Sequence, residues 1–212
     1  MLIPVLFSSD ISSISEGQTA LVKFDFSEVP VNFGISDIIV IDGKLSSLSQ
    51  DKTLQNVYSA IFTPKEGSEG SALVSVEPNS YVDLAGNSGK YTSSILIIYD
   101  TQPPQKPEIT TEFEDSRTTD TTPTLSGKAE PGSIVEIIEN GILLGTTLAS
   151  ENGFWEFTSS MEHTIGVRDF LVRSVDKFGN VSESSEMLSV RIDNSDSVRS
   201  LDGINGYLRL KY

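Results

Sequence analysis

The chain has no cysteine, one histidine and one tryptophan among its 212 residues. Without cysteine there is no disulfide framework, no thiolate metal site and no cysteine nucleophile. The lone histidine, His163, lies in a Ser/Glu/Thr-rich stretch. It gives little support to a transition-metal site, which ordinarily draws on several imidazoles or thiolates. Cationic residues are also scarce: 15 Lys and Arg stand against 30 Asp and Glu, for a formal net charge of −15. The basic footprint that nucleic acid or an anionic membrane requires is therefore missing. No apolar run nears the ~18–20 residues needed to span a bilayer. The opening Leu2 to Phe7 is too short for a signal-peptide core and has no basic segment before it. An export address is expected outside this segment or in a form that is not cleaved. No nucleophile-elbow sequence and no EF-hand loop is present. A Ser-His-Asp arrangement lacks a positioned nucleophile. Carboxylate pairs for glycoside hydrolysis carry no information, because so many acids supply such pairs at will.

Helix signals are nearly absent, and strand signals fill the space. Thr19 to Phe26 alternates, with Ala20, Val22, Phe24 and Phe26 on one face and Lys23 and Asp25 on the other. Ile38 to Ile41, Val57 to Phe62, Ala72 to Val76 and Ser94 to Tyr99 are further β-branched or aromatic runs, bounded by Gly, Pro, Ser, Asn and Asp. The second half adds Pro123 to Gly127, Ser133 to Glu139, Ile142 to Leu148, Phe154 to Thr158, Val167 to Val175 and Met187 to Ile192. Asn140-Gly141 is a hairpin-turn signal. Trp155 sits in an alternating run beside Phe154 and Phe157 and reads as a core residue. Parallel sheets ordinarily need crossover helices, whose signals are missing, so the pattern predicts antiparallel β-sandwiches.

One motif occurs twice. Asp83-Leu84-Ala85-Gly86-Asn87 returns as Asp176-Lys177-Phe178-Gly179-Asn180, and each copy precedes a strand-like run ending in Asp, at Asp100 and Asp193. The spacing is the same from Asp83 to Asp176, from Asn87 to Asn180 and from Asp100 to Asp193. A shared period of this length predicts two similar domains in tandem. The prolines Pro103, Pro104 and Pro107 favour extended geometry between them. The expected organisation is all-β: one sandwich over 1–100, a Pro-rich linker over 101–107, a second sandwich over 108–193, and a tail over 194–212. The tail holds one weak strand candidate, Tyr207 to Leu210, and is either disordered or the start of a third repeat.

Several stretches together resemble the bacterial Ig-like repeats of giant adhesins exported by the type I route. In the first domain they are Ile14 to Ala20 leading into Phe24 to Glu28, Tyr58 to Pro64, Val74 to Val76, Asp83 to Asn87, and Asp100 to Pro103. In the second they are Thr122 to Gly127, Ala129 to Ser133, Gly141 to Thr147, Asn152 to Phe157 and Asp176 to Asn180. The resemblance implies Ig-like sandwiches that act as spacers or binding modules in cell-surface or biofilm proteins, with calcium near domain junctions. It implies a non-enzymatic, extracellular chain whose partners are neighbouring repeats, and a monomer. The family usually has Ala before Gly-Asn, where this chain has Phe178.

A strand alternation with the motif between the last two strands places it at the end where the chain enters each domain. The closing Asp lies at the exit. Calcium takes six to eight oxygen ligands. The expected ligands are Asp100 with Asp176 and Asn180, joined by Glu130 and Glu151 from the second domain. Glu16, Glu66 and Glu69 are the expected contributors from the exit side of the first. Asp83 and Asn87 would serve a preceding junction, and Asp193, with Asp120, a following one. The alternative is plain: Asp closes an Asx-turn, and Gly and Asn tolerate positive φ, so a role that only shapes a loop stays open. Two other functions stay open. One is recognition of host glycan or protein, for which Tyr81, Tyr91 and Phe178 are the loop-placed rings. The other is an accessory role beside a secreted hydrolase.

Overall fold

The computed structural model describes residues 5–90 and 94–194. The chain divides into two compact units, Met1–Pro103 and Pro104–Tyr212. The described residues form strands and two short 3-10 turns, with no α-helix among them. Among the described residues no helix is long and apolar enough to cross a membrane.

Unit 1 opens with β1 (Val5–Ser9), β2 (Ser13–Ile14) and β3 (Ala20–Phe26). β4 (Ile38–Ile41), β5 (Gly43–Leu45), β6 (Ser49–Gln50), β7 (Val57–Pro64), β8 (Glu69–Val76) and β9 (Ser94–Asp100) follow. One sheet runs β1-β3-β7-β5, with β6 also on β7; the other runs β2-β9-β8-β4. The opening segment therefore splits: β1 pairs antiparallel with β3 over five residues, and β2 pairs parallel with β9 through Ser13↔Ile98 and Ile14↔Tyr99. The alternation in β3 behaves as its sequence requires. Ala20, Val22, Phe24 and Phe26 are fully buried, and Lys23 and Asp25 face solvent. Phe24, Phe26, Phe33, Tyr58 and Tyr81 form one aromatic cluster, with Phe26 and Phe33 edge-on at 4.7 Å and Phe26 and Tyr81 edge-on at 5.0 Å. Such pairs add about 0.5–1.5 kcal/mol each beyond area burial.

Unit 2 has β10 (Glu108–Ile109), β11 (Arg117–Thr118), β12 (Thr124–Lys128), β13 (Ile134–Glu139), β14 (Ile142–Leu148), β15 (Phe154–Thr158), β16 (Gly166–Val175) and β17 (Leu188–Ile192). Its sheets run β10-β12-β15 and β11-β17-β16-β13-β14. The core holds Leu125, Val135, Ile137, Trp155, Phe170, Val172 and Val190, and Trp155 is 3% exposed, as its strand context predicts.

Both units are Ig-type sandwiches, but they diverge after β4 in unit 1 and after β13 in unit 2. In unit 1 the chain turns at Asp42 (φ 59°) and crosses to the other sheet as β5. In unit 2 Asn140 (φ 49°) and Gly141 (φ 83°) make a tight hairpin that keeps β14 beside β13. Positive φ at both central residues is what an Asn-Gly turn supplies.

The long strands lie where the alternation places them, with β7 and β8 longer than expected. Val5 to Phe7 of the opening apolar segment, read as too short for a signal core, lie in β1. The candidate strand Tyr207 to Leu210 and the ring of Tyr91 lie outside the described residues.

Candidate functional site

The repeated acidic motif lies between β8 and β9 in unit 1 and between β16 and β17 in unit 2, as its spacing predicts. The two copies make the same hydrogen bonds. Asp83 Oδ1 accepts from the backbone N–H of Ala85 and of Asn87, each at 2.8 Å, and its Oδ2 accepts from Asn87 Nδ2 at 2.7 Å. Asp176 Oδ1 accepts from Phe178 N–H at 2.7 Å and Asn180 N–H at 2.9 Å, and its Oδ2 accepts from Asn180 Nδ2 at 2.6 Å. The backbone closes both loops: Asp83 N–H donates to Asn87 C=O and Asp176 N–H to Asn180 C=O. Gly86 (φ 82°) and Gly179 (φ 90°) occupy the left-handed region. Every fixed position of the motif therefore has a task within the turn. Asn87 and its backbone N–H hold the Asp83 carboxyl below the usual carboxylate range, with the Ala85 N–H adding to the effect.

In unit 2 the loops expected to share one end do so. Ala129 N–H donates to Gly153 C=O and Gly132 N–H to Ala149 C=O, which joins the loop of Glu130 to that of Glu151. Ile134 pairs with Val175, the residue before Asp176. The chain enters at this end, where Gln105 N–H donates to Glu130 Oε2 at 3.2 Å and Lys106 Nζ meets Glu186 at 2.5 Å. Glu130 thus anchors the incoming backbone. Glu151 is exposed. Phe178 gives its N–H to the turn, and its half-buried ring has Lys177 Nζ 5.3 Å from the centroid.

At the exit of unit 1, Asp100 is 7% exposed, pairs in register with Glu69 and accepts from Gln102 N–H at 3.0 Å. The next residue, Thr101, was not singled out by the sequence and does more. It is buried, its N–H donates to Ser68 C=O, and its hydroxyl donates to Lys65 C=O at 2.8 Å. It bolts the last strand to the β7–β8 loop. Glu16, Glu66 and Thr101 line an open groove there.

Asp193 was expected to await a following repeat. Its carboxylate is instead gripped by two cations, Arg191 Nε at 2.8 Å and Arg117 Nη1 at 2.7 Å. Arg191, then Arg117, hold its carboxyl below the ordinary value. Asp120 caps its own loop by accepting from Thr122 N–H. Within each unit, the described residues contain no group of three or more His, Asp or Glu arranged to hold a metal ion.

One other reading changes. Tyr81, proposed as a loop ring for ligand stacking, is 2% exposed and belongs to the core. His163 is buried against Phe170, with Nδ1 3.1 Å from Glu139, whose carboxylate also faces Arg168.

A family model described as bacterial Ig-like domain matches residues 4–98, and a second model of the same description matches residues 106–194. None of the curated proteins matches the chain. Among solved structures, the chain is similar to fibronectin(III)-like modules of Clostridium thermocellum CbhA, with 14% identity, 91% of this chain and 96% of that one covered, and a TM-score of 0.48. It is similar to the BSP domain of a biofilm associated protein, with 14% identity, 92% and 30% covered, and a TM-score of 0.34. It is also similar to the Yersinia pseudotuberculosis adhesin InvE, with 13% identity, 89% and 58% covered, and a TM-score of 0.31. The chain spans under a third of the biofilm protein and just over half of InvE. Since the two family models each take one of the two sandwiches and between them cover nearly all of the described residues, the chain belongs to the bacterial Ig-like family, as two such domains in tandem.

Proposed function

We propose that the chain is a non-enzymatic structural segment of a bacterial surface adhesin or biofilm protein, in which Ig-like domains act as links of a stalk. One observation carries the reading. In each unit the opening segment and the closing strand run the same way, through the parallel pairs β2–β9 and β11–β17. A unit built like this takes the chain in at one end and releases it at the other. Links of that kind add length with every repeat. The connector is rich in proline, and its start and finish are fastened by Thr101 and by Glu130 with Lys106.

Calcium belongs to the proposal as a stiffener. The turn acids and Asp193 already serve the fold. In unit 1 the carboxylates proposed for calcium are Asp100, Glu16 and Glu66, at its exit; in unit 2 they are Glu130 and Glu151, at its entry. Extracellular calcium modules typically work at a Kd of ~10⁻⁴–10⁻³ M, so millimolar calcium is the relevant condition. The test is small-angle scattering and thermal melting of the full chain in millimolar calcium and in excess chelator, with antibody labelling of intact producing cells. Chelation is expected to broaden the distance distribution and lower the melting temperature. Identical curves in both buffers would remove calcium, and failure to label the cell surface would remove the stalk.

A further inference from the structure

We propose that the outer face of the β4-β8-β9 sheet in unit 1 is a self-association surface, on which a second copy of this chain lays the same face. Its use at a cell surface rests on the stalk reading; the pairing itself does not.

Alternation decides what this face carries. Ala72, Val74 and Val76 of β8 and Ile97 and Tyr99 of β9 belong to the core, and Ile38 and Val40 of β4 pack against it. The residues between them therefore point outward. The register sets Ile41, Leu73 and Leu96 in one row across the strands, through Ile41↔Leu73 and Leu73↔Leu96. Ile39 on β4 and Ile98 on β9 extend the row on its two sides, which makes a diagonal aliphatic ridge. Leu96 is 65% exposed, and Ile39, Ile41 and Ile98 lie between 42% and 51%. Ser71, Ser75 and Ser94 fill the remaining positions with small side chains. Carboxylates begin only past the ends of the ridge: at Asp37, whose C=O accepts from Glu77 N–H, at Asp42, and at Glu69 opposite Asp100. The fold does not require such a face. The matching sheet of unit 2 sets Glu136 and Arg173 in an ion pair on its outer side, with Asp169 and Arg191 further along.

The occupant that fits is a copy of the chain. The ridge offers no aromatic ring on which a sugar could stack and no charge that would select a charged protein; it offers apolar area, and a copy brings the same. Two chains of net charge −15 repel each other, so they meet best where carboxylates stand clear of the seam. A two-fold axis through the Leu73 row lays each ridge beside the other's serines. Sheets packed in this way lie ~10 Å apart with interdigitated side chains. The patch is small, below the ~1,200 Å² of a standard interface, so the pairing is weak and reversible. Chains tethered side by side on one surface reach effective concentrations at which weak pairing counts.

The test is sedimentation of the full chain from micromolar to millimolar concentration, in low and in molar salt. The wild-type mass is expected to rise toward that of a dimer, and more steeply in molar salt, which screens the repulsion and leaves the apolar contact intact. Leu96→Glu should weaken the dimer about tenfold or more, because its carboxylate would be buried unpaired. Leu6→Glu, at a residue 71% exposed on the other sheet, should pair like wild type. The chain has no cysteine of its own, so Leu96→Cys and Leu6→Cys each give a short bis-maleimide one attachment point; only the first should link two copies. Circular-dichroism melts check that each variant is folded. A wild type that stays monomeric in both salts would overturn the proposal, whether a foreign protein then binds the face or nothing does. So would a dimer that Leu6→Glu abolishes and Leu96→Glu leaves intact. Sedimentation does not depend on where the chain resides, so failure of the pairing and failure of the stalk, read by surface labelling, are separable.

Discussion

Replacing Asp176 with alanine separates the two uses to which the repeated motif can be put. The side chain accepts three hydrogen bonds, from Phe178 N–H, Asn180 N–H and Asn180 Nδ2. Each is worth about 0.5–1.5 kcal/mol net, and the low end suits a half-exposed carboxylate, for a total of about 2 kcal/mol. For a domain of this size that lowers the melting temperature by roughly 10 °C. Trp155 is the single tryptophan, lies in the core of unit 2, and its fluorescence follows that unit alone. Melts are run in millimolar calcium and in excess chelator. If the motif is a turn, Asp176→Ala loses the same roughly 10 °C in both. Asp176→Asn falls between, because its carbonyl still serves two backbone N–H groups while the Asn180 amide loses its acceptor. A variant that melts like wild type in both buffers would refute the hydrogen-bond reasoning. A loss seen only with calcium would make Asp176 an ion ligand.

Gly127→Ala would place a Cβ 1.9 Å from Glu108 C=O and 2.7 Å from the Trp155 ring. Overpacking of this kind costs about 1–3 kcal/mol or more, and β10 should detach, read as lost amide-exchange protection at Thr110, whose N–H donates to Ser126 C=O. Asp83 has a folded-state pKa below its unfolded value, so its contribution is complete above about pH 4 and is lost as pH falls through the folded pKa. Acid titration of unit 1 should show this loss, and Asp83→Asn should flatten that arm of the stability curve.

Much of the fold was legible because its long strands bury alternate residues. β3 shows why: Val22, Phe24 and Phe26 cannot all face inward in any other regular structure. The short pieces were not legible. β2, β5, β6, β10 and β11 run two or three residues, too few to show a period, and their places follow from neighbours distant in sequence. The motif's position was readable from its repetition, but its role was not. A turn and an ion site ask for the same Asp, Gly and Asn; the structure adds the hydrogen bonds that the turn makes through Asp83 and Asp176, and the melts with and without calcium separate the two. Asp193 misled for a related reason. Nothing local shows that Arg117, far back in the chain, meets it across the β11–β17 pair. Tyr81 read as a loop ring because it lies outside any strand, yet the loop folds inward onto Phe26.

The different handling of the strand after β4 and after β13 has a consequence for how the two neighbours fold side by side. Domains joined by a short connector emerge together at very high local concentration, where exchange of like segments traps misassembled pairs. Here a swap is not like for like. The β13–β14 hairpin lays both strands on one sheet, while the matching stretch of unit 1 must reach across to the opposite one. At this strand neither neighbour offers the other a piece that completes it, which favours each finishing its own sandwich.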